Sequence, residues 1–290
     1  MEGRSCAYGA ASIANAIATG KGAAFGISLK TEASVRLNNS GRFTGKIQSS
    51  PGEDTLLMEL CAKKVLERFG LAGLGADIET VSDIPVASGL KSSSTAANAV
   101  VLASYSAARK EKKGITLTDK ELLDIAIDAA LEAKVTITGA YDDAAASYFG
   151  GYLITDNAKR KILKKGLMDK SLSVVLYVPK ERSYTAKVDV EKIRLLKEPA
   201  LLAWKEALEG SRYTALTANG LIYSAALGCD TRIPMTALGA SALASGISGK
   251  GPSVVALTKG DPEKIVSAWK EFSGRIIKCG INNKKAAITE

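Results

Sequence analysis

The stretch 85–95 carries the residue types that a phosphate-binding loop needs. It runs Pro-Val-Ala-Ser-Gly-Leu-Lys-Ser-Ser-Ser-Thr, and a helix-forming run over 96–103 follows it. A glycine turn with serines at a helix start offers free backbone N–H groups, the positive end of the helix dipole, and hydroxyls for phosphate or Mg²⁺. The alternative is an oversupplied helix cap, because one serine is enough to cap a helix.

Glu132 is a carboxylate on the predicted apolar face of a helix. Leu122, Ile125 and Ala129 precede it at intervals of three or four residues, so it falls on the stripe that faces the core. A carboxylate in that position needs a partner. From the residues alone, an ion pair with a nearby lysine such as Lys134 is the simplest interpretation.

The adjacent aspartates Asp142 and Asp143 follow a glycine and precede a Gly-Gly turn at 150–151. They could form an acidic turn, where aspartate is common because its side chain bonds to the backbone. The chain has no histidine, so acid–base chemistry falls to carboxylate, lysine or tyrosine. A carboxylate is then the natural group to orient or deprotonate an attacking hydroxyl in phosphoryl transfer.

A late glycine-rich segment over 239–253 leads into an apolar strand at 254–257. It could be a flexible turn. Glycines also let a backbone approach a ligand closely, which agrees with a phosphate site. We expect this segment and the stretch 85–95 to converge on one cleft.

The stretch 85–95 resembles the phosphate loop of the GHMP kinases, the family of galactokinase, homoserine kinase and mevalonate kinase. The family motif P-x-x-x-G-L-x-S-S is matched by Pro85, Gly89, Leu90, Ser92 and Ser93. The resemblance implies that this loop and the late glycine-rich loop wrap the phosphates of ATP. The phosphate-binding residues that it implies are Ser88, Gly89, Leu90, Lys91, Ser92, Ser93, Ser94, Gly249 and Gly251. Lys91 stands where small residues are more usual.

The same resemblance implies roles for the carboxylates. Ser93 would help to hold Mg²⁺, and Glu132 would be the Mg²⁺-binding glutamate that the family carries about ten residues ahead of its catalytic aspartate. Asp143 would be that aspartate, because the family places a glycine turn seven residues later and Gly150 lies seven residues after Asp143. Asp142 is one residue out of that register.

The N-terminal stretch 11–27 is similar to the archaeal shikimate kinase branch of the family. Most other branches have P-G-K-x-x-L near this point, whereas this chain has Ala10 where some relatives place a lysine beside the catalytic aspartate. Lys21 or another cation could substitute. The resemblance implies ATP-dependent phosphorylation of a hydroxyl of shikimate. Residues that could hold this carboxylated polyol are the polar Asn15, Thr138 and Tyr141 and the cationic Arg232.

Other functions fit the residues less well. Homoserine kinase is the alternative within the family, and a non-catalytic sensor with the same fold is the alternative outside catalysis, although a sensor would be expected to lack Ser93, Glu132 or Asp143.

The net charge of +9 favours anionic partners, but only 6% of residues are aromatic and the charge runs contain none, which argues against nucleic acid. The chain contains neither G-x-x-x-x-G-K-[ST] nor G-x-G-x-x-G.

The elements that must position these residues follow from capping and periodicity. A capping box over 50–53 predicts a helix that ends before Gly70, a second at 118–121 predicts a helix to about Lys134, and alternation over 77–81 predicts a strand. The resemblance implies an α+β fold with ATP and substrate between two domains, 1–165 and 166–290. With no apolar run of 18 residues, we expect a cytoplasmic protein.

Overall fold

The structure is a computed structural model that describes residues 1–136, 139–180 and 190–290. Its strands are β1 (Glu2–Ala14), β2 (Lys21–Asn38), β3 (Phe43–Ile47), β4 (Gly75–Ser82), β5 (Tyr152–Asp156), β6 (Lys161–Gly166), β7 (Ser173–Pro179), β8 (Ala244–Ile247), β9 (Val254–Thr258), β10 (Gly274–Gly280) and β11 (Ala287–Ile288). Its helices are α1 (Leu56–Arg68), α2 (Ser92–Glu111), α3 (Asp119–Glu132), α4 (Tyr141–Phe149), α5 (Val190–Arg194), α6 (Lys197–Glu209), α7 (Arg212–Leu227), α8 (Arg232–Gly239) and α9 (Glu263–Trp269). The mixed content of helices and two sheets confirms the predicted α+β class.

The first sheet is built around a long antiparallel pair, β1 and β2. Its order is β11-β1-β2-β4-β3, and β5 joins β2 and carries β6. Helices α2 and α4 pack on β1 through small side chains, among them the fully buried Ala7, Ala10 and Ala103. Small residues let helix and strand approach closely. The start of α2 is tied to β1 where the Thr95 hydroxyl donates to the Tyr8 carbonyl, at 3.3 Å.

The second sheet is antiparallel, with the order β10-β7-β9-β8. Helix α7 packs on β8 and also contacts β1, which brings the late glycine-rich segment against the first sheet. Trp204 of α6 reinforces this junction, because its indole N–H donates to the Gly22 carbonyl of β2, at 3.2 Å. The division of the chain near residue 165 remains a prediction, although β6 ends at Gly166 and β7 begins the second sheet.

Two of the predicted helix starts have different outcomes. The capping box at Thr118 is confirmed, because the Thr118 hydroxyl accepts from the Glu121 N–H and the Glu121 carboxylate accepts from the Thr118 N–H. The start predicted at residue 50 is wrong, because α1 begins at Leu56 after the cap residue Thr55. The Asp54 carboxylate accepts from the Leu56 N–H at 2.9 Å, and Ser50 lies in a turn. Among the described residues, no helix has the length and apolar character that crossing a membrane would require.

Candidate active site

A cavity of about 460 Å³ opens where the two sheets and the helices α2, α3 and α4 meet. One wall consists of the loop that ends at Lys91 and the first turn of α2. The end of α3 and the start of α4 form another wall, and the late glycine-rich loop and the residues after β1 close the side. Of the predicted phosphate-binding residues, those that line this cleft are Gly89, Lys91, Ser92, Ser93, Ser94 and Gly249.

The first turn of α2 presents three hydroxyl groups to the cleft. Ser92, Ser93 and Ser94 are partly exposed, and among the described residues their hydroxyls have no hydrogen-bond partner. The helix cap is Lys91, which makes no side-chain cap bond and has a φ of +66°. The N–H groups of a first helical turn have no acceptor within the helix. This turn can therefore bind an anion such as a phosphate.

Three residues predicted to bind phosphate lie outside the lining of the cleft. The Ser88 hydroxyl donates to the Pro85 carbonyl at 2.7 Å, which holds the loop in its turn. Leu90 is fully buried in the apolar core. A side chain at Gly251 would overlap Ile247. The surroundings of these three residues therefore indicate that they maintain the shape of the loops and do not contact a ligand in the cleft directly.

The two glycine-containing loops meet, as predicted. The Ser248 hydroxyl donates to the Gly89 carbonyl at 2.9 Å, and the Ser253 N–H donates to the Ser88 carbonyl at 3.1 Å. Gly89 has a φ of +83°, and an added Cβ would overlap the Ser248 carbonyl oxygen. No residue other than glycine fits there without a shift of the backbone. The late loop therefore fixes the shape of the phosphate loop.

Asp143 faces the cleft from the first turn of α4. Its Oδ1 lies 2.8 Å from Nζ of Lys91, and the two side chains are 17% and 5% exposed. The same ammonium donates to the Ser12 hydroxyl at 2.9 Å, and this hydroxyl also accepts from the Gly249 N–H at 2.9 Å. One network thus joins the phosphate loop, β1, the late loop and the carboxylate.

Asp142 has a different environment from its neighbour. It is only 3% exposed, and its Oδ1 accepts from the Asn157 amide at 2.7 Å, while its Oδ2 lies against Gly22. Burial raises the pKa of Asp142 well above its usual range, and the negative charge of Asp143 raises it further. Protonation of Asp142 is therefore easier near neutral pH than protonation of an exposed aspartate, which suits a residue that holds α4 against β2 and β5.

Lys250 is a second cation in the cleft. Burial and, to a smaller extent, the charge of Lys91 lower its pKa to about 8, while the charge of Asp143 opposes this effect. Among the described residues it has no ion-pair partner. A desolvated ammonium without a counter-ion favours the binding of an anion.

The structure places Glu132, the second predicted Mg²⁺ ligand, away from Ser93 and the cleft. Its side chain is 51% exposed, lies outside the lining of the cleft, and pairs with Nζ of Lys64 at 2.6 Å. The hydrogen bond from Lys64 lowers the pKa of Glu132. Helix α3 ends at Glu132, and its last turn directs this side chain toward α1. The ion-pair interpretation was therefore right in kind, with Lys64 in place of Lys134.

The candidates for the acceptor pocket separate in the same way. Arg232 is not brought to the cleft: it is 79% exposed, pairs with Asp230 at 2.6 Å and lies outside the lining of the cleft. Tyr141, the first residue of α4, is buried in the core and also lies outside the lining of the cleft. Asn15 borders the cleft, but its amide donates to the Gly249 carbonyl and accepts from the Ile17 N–H, so it holds the late loop. Thr138 lies outside the described residues.

Sequence reasoning missed Ser12 and Lys250 as members of the site. Lys250 stands between Gly249 and Gly251 in a segment that was already assigned to the phosphates, so its position was the available signal. Ser12 is a polar residue within a run of small and apolar residues in β1. That signal is weak, because a serine is common in such a strand.

Comparison with known proteins agrees with this geometry. Residues 56–151 match the family described as GHMP kinases N terminal domain. The chain is 44% identical to shikimate kinase of Methanothermobacter thermautotrophicus over 283 residues, which cover 97% of this chain and 96% of that protein. It is 45% identical to shikimate kinase of Methanosarcina mazei over 290 residues, which cover 99% and 96%.

Solved structures with the same fold share little sequence with the chain. Methanococcus jannaschii mevalonate kinase superposes with a TM-score of 0.75 at 15% identity, covering 98% of each chain. Homoserine kinase from Cytophaga hutchinsonii superposes with a TM-score of 0.72 at 18% identity, covering 99% of this chain and 97% of that one. These likenesses establish the fold.

Proposed function

The chain belongs to the GHMP kinase family, and we propose that its cleft transfers the γ-phosphate of ATP to a hydroxyl of shikimate, giving shikimate 3-phosphate and ADP. That it is a small-molecule kinase follows from the archaeal shikimate kinases that match it over nearly their whole length. The observation that carries the proposal is that the free serines of α2 and the carboxylate of Asp143 face one cleft.

In this proposal the chain's own residues divide the work between phosphate and acceptor. The first turn of α2 and the backbone near Gly89 and Gly249 hold the triphosphate. Asp143 orients the acceptor hydroxyl and takes its proton as the oxygen attacks the γ-phosphorus, and the bond to the β–γ bridging oxygen breaks to release ADP. Lys250 balances the negative charge of the transferred phosphate, and Lys91 balances that of Asp143.

The donor set fits a Mg²⁺ ion that arrives with the nucleotide. Within residues 1–136, 139–180 and 190–290, no group of three or more acidic, histidine or cysteine side chains could hold a metal by itself. Mg²⁺ usually keeps several waters and phosphate oxygens and takes few protein ligands. The hydroxyl of Ser93 would be such a ligand, and bound Mg²⁺ would supply positive charge that offsets the charge of the phosphates.

A coupled ADP-release assay over shikimate, homoserine and mevalonate tests the proposed function. We expect turnover with shikimate that exceeds turnover with the other two acceptors by orders of magnitude. ADP release that depends on homoserine instead would keep the family and change the substrate. No acceptor-dependent release, with ATP bound, would favour the sensor alternative.

Changing Ser93 to alanine should raise the Mg²⁺ concentration required for half-maximal activity by about tenfold or more, because the proposed protein ligand is lost. Glu132→Gln is the matched comparison, since it removes a carboxylate that is exposed and paired with Lys64. We expect its Mg²⁺ requirement to stay within about twofold of the original enzyme's. Titration of activity with Mg²⁺ at fixed ATP measures both. A raised requirement in Glu132→Gln alone would assign the Mg²⁺ ligand to Glu132 instead of Ser93.

Lys250 predicts a pH dependence on the basic side. A lysine whose pKa is lowered to about 8 is charged below that pH and neutral above it. We therefore expect kcat/KM for ATP to fall as pH rises through about 8. In Lys250→Met the value should be lower by about tenfold, and this fall should be absent.

Profiles of kcat/KM for ATP over pH 6–10 measure the effect, with Lys113→Met as the control because Lys113 is exposed on the surface. The control should keep the profile of the original enzyme. An unchanged fall in Lys250→Met would assign the basic limb to another group.

A further inference from the structure

Lys91 does not have the environment expected of a lysine that simply reaches out to a phosphate. Its side chain is 5% exposed, and its ammonium ends 2.8 Å from Oδ1 of Asp143 and 2.9 Å from the Ser12 hydroxyl. The left-handed backbone at this residue places it at the very start of α2. The ammonium of Lys91 thus points inward to the carboxylate of Asp143.

Other candidate cations do not occupy this place. Position 10 of β1, where some relatives have a lysine, is a fully buried alanine. Lys21 lies with its Nζ 3.5 Å from Asp156 and over the ring of Trp204, at 4.8 Å from the ring centroid. Lys250 interacts electrostatically with Lys91 and Asp143, but it makes no ion pair among the described residues. The described ion pair of Asp143 is therefore with Lys91.

The position of Ser12 relates Lys91 to the missing lysine of β1. Residues 10 and 12 pair with Gly26 and Ala24 of β2 in one regular stretch, so their side chains point to the same face of the strand. The ammonium of Lys91 contacts Ser12 on that face. The ammonium of Lys91 therefore lies on the face of β1 from which a lysine at position 10 would project.

We propose that Lys91 is the positioning residue that neutralises and orients Asp143, a role that rests on the proposed function of that carboxylate. ATP carries several negative charges, and a bare carboxylate beside its γ-phosphate would repel it. The ammonium cancels this repulsion before ATP arrives. The ion pair also draws the buried Oδ1 toward Lys91, and Oδ2, unbonded among the described residues, is left to meet the acceptor hydroxyl.

A double-mutant cycle on nucleotide binding tests this role. The probe is adenylyl imidodiphosphate with Mg²⁺, titrated by calorimetry into the original enzyme, Lys91→Met, Asp143→Asn and the double variant. We expect Lys91→Met to weaken binding by about tenfold, because it leaves an unpaired carboxylate beside the phosphates. In the Asp143→Asn background the same change should weaken binding by less than about twofold.

Equal weakening in both backgrounds would overturn the proposal, because it would make Lys91 a direct phosphate ligand that acts independently of Asp143. No weakening in either background would overturn it as well. The measurement uses no acceptor, so an enzyme that acts on a substrate other than shikimate would contradict the proposed function and leave this result standing.

A second variant covers the case in which Lys91→Met does not fold. Lys91→Gly removes the side chain and suits the φ of +66°. If the missing group is an ammonium beside Asp143, methylammonium or ethylammonium should restore part of kcat to Lys91→Gly and none to Lys91→Gly/Asp143→Asn. Rescue of both variants, or of neither, would contradict the role.

Discussion

Replacing Asp143 by asparagine is expected to lower kcat by about 10²–10⁴-fold, because a well-placed general base contributes a factor of this size. The amide keeps the shape of the side chain but cannot take the proton of the acceptor hydroxyl. Binding of ATP should not weaken, since a negative charge beside the phosphates is removed. Steady-state kinetics with shikimate and a separate titration with a non-hydrolysable ATP analogue measure the two effects.

Asp142→Asn is the matched control, one residue away on the same helical turn. Asp142 is buried, accepts a hydrogen bond from Asn157 and has a pKa raised by burial, so a neutral amide at this position loses less charge stabilisation than it would at an exposed aspartate. We expect kcat to fall by no more than about tenfold. If Asp142→Asn is inactive and Asp143→Asn is nearly unchanged, the catalytic role belongs to Asp142. If both remain active, transfer rests on charge and positioning alone, which phosphoryl transfer permits.

The parts of the site that sequence reasoning recovered are those whose chemistry is local. A phosphate loop needs a turn, free N–H groups and hydroxyls within a few residues, so the stretch 85–95 carries its own evidence. The distance of seven residues from Asp143 to Gly150 is likewise a local property, because it equals the length of α4 from its first turn to the turn that ends it. Such features can be recognised from sequence because they do not depend on tertiary contacts with the rest of the chain.

Other predicted site residues lie away from the cleft, because the direction of a side chain depends on tertiary contacts. Periodicity placed Glu132 on the face that packs on the core, but the end of α3 and the nearby Lys64 decide where its carboxylate points. Arg232 stays at the surface, where it forms an ion pair with Asp230, two residues earlier. Neither pairing is specified by charge or spacing alone.

The start of α1 shows the same limit for local signals. Serine, proline and glutamate at 50–53 satisfy the pattern of a capping box, yet the chain turns there and begins the helix after Thr55. Ser49, Glu53 and Asp54 border the cleft. This segment thus forms a wall of the site instead of the first turn of a helix. Strands β3 and β4, which flank it, determine that position.

The relation between Lys91 and Asp143 could not be found from spacing. The sequence reveals only that position 10 lacks a lysine and that residue 91 is unusual for its loop. Fifty-two residues separate Lys91 from Asp143, and the ion pair exists because α2 and α4 both pack on β1. Packing of small residues on that strand is thus a condition for the charge arrangement of the site.

Gly89→Ala is expected to lower kcat/KM for ATP by about 10²-fold, since displacement of a binding loop by about 1 Å can cost that much. The added Cβ would overlap the Ser248 carbonyl oxygen, so the phosphate loop and the late glycine-rich loop must separate. Overpacking of this kind also lowers the free energy of unfolding by about 1–3 kcal/mol. Kinetics at varied ATP and thermal or urea unfolding measure the two effects.

Gly114→Ala is the control for backbone strain. Alanine is strained by the positive φ at either glycine, but only at Gly89 would its Cβ also overlap another residue. The two glycines have φ values of +90° and +83°, but nothing lies within 4 Å of a Cβ at Gly114. The control should lose about 1–2 kcal/mol of stability from the left-handed backbone alone and keep its KM for ATP. If Gly89→Ala is destabilised no more than Gly114→Ala and binds ATP equally well, the two loops do not depend on their contact. A loss of ATP binding confined to Gly89→Ala means that the late loop sets the geometry of the phosphate site.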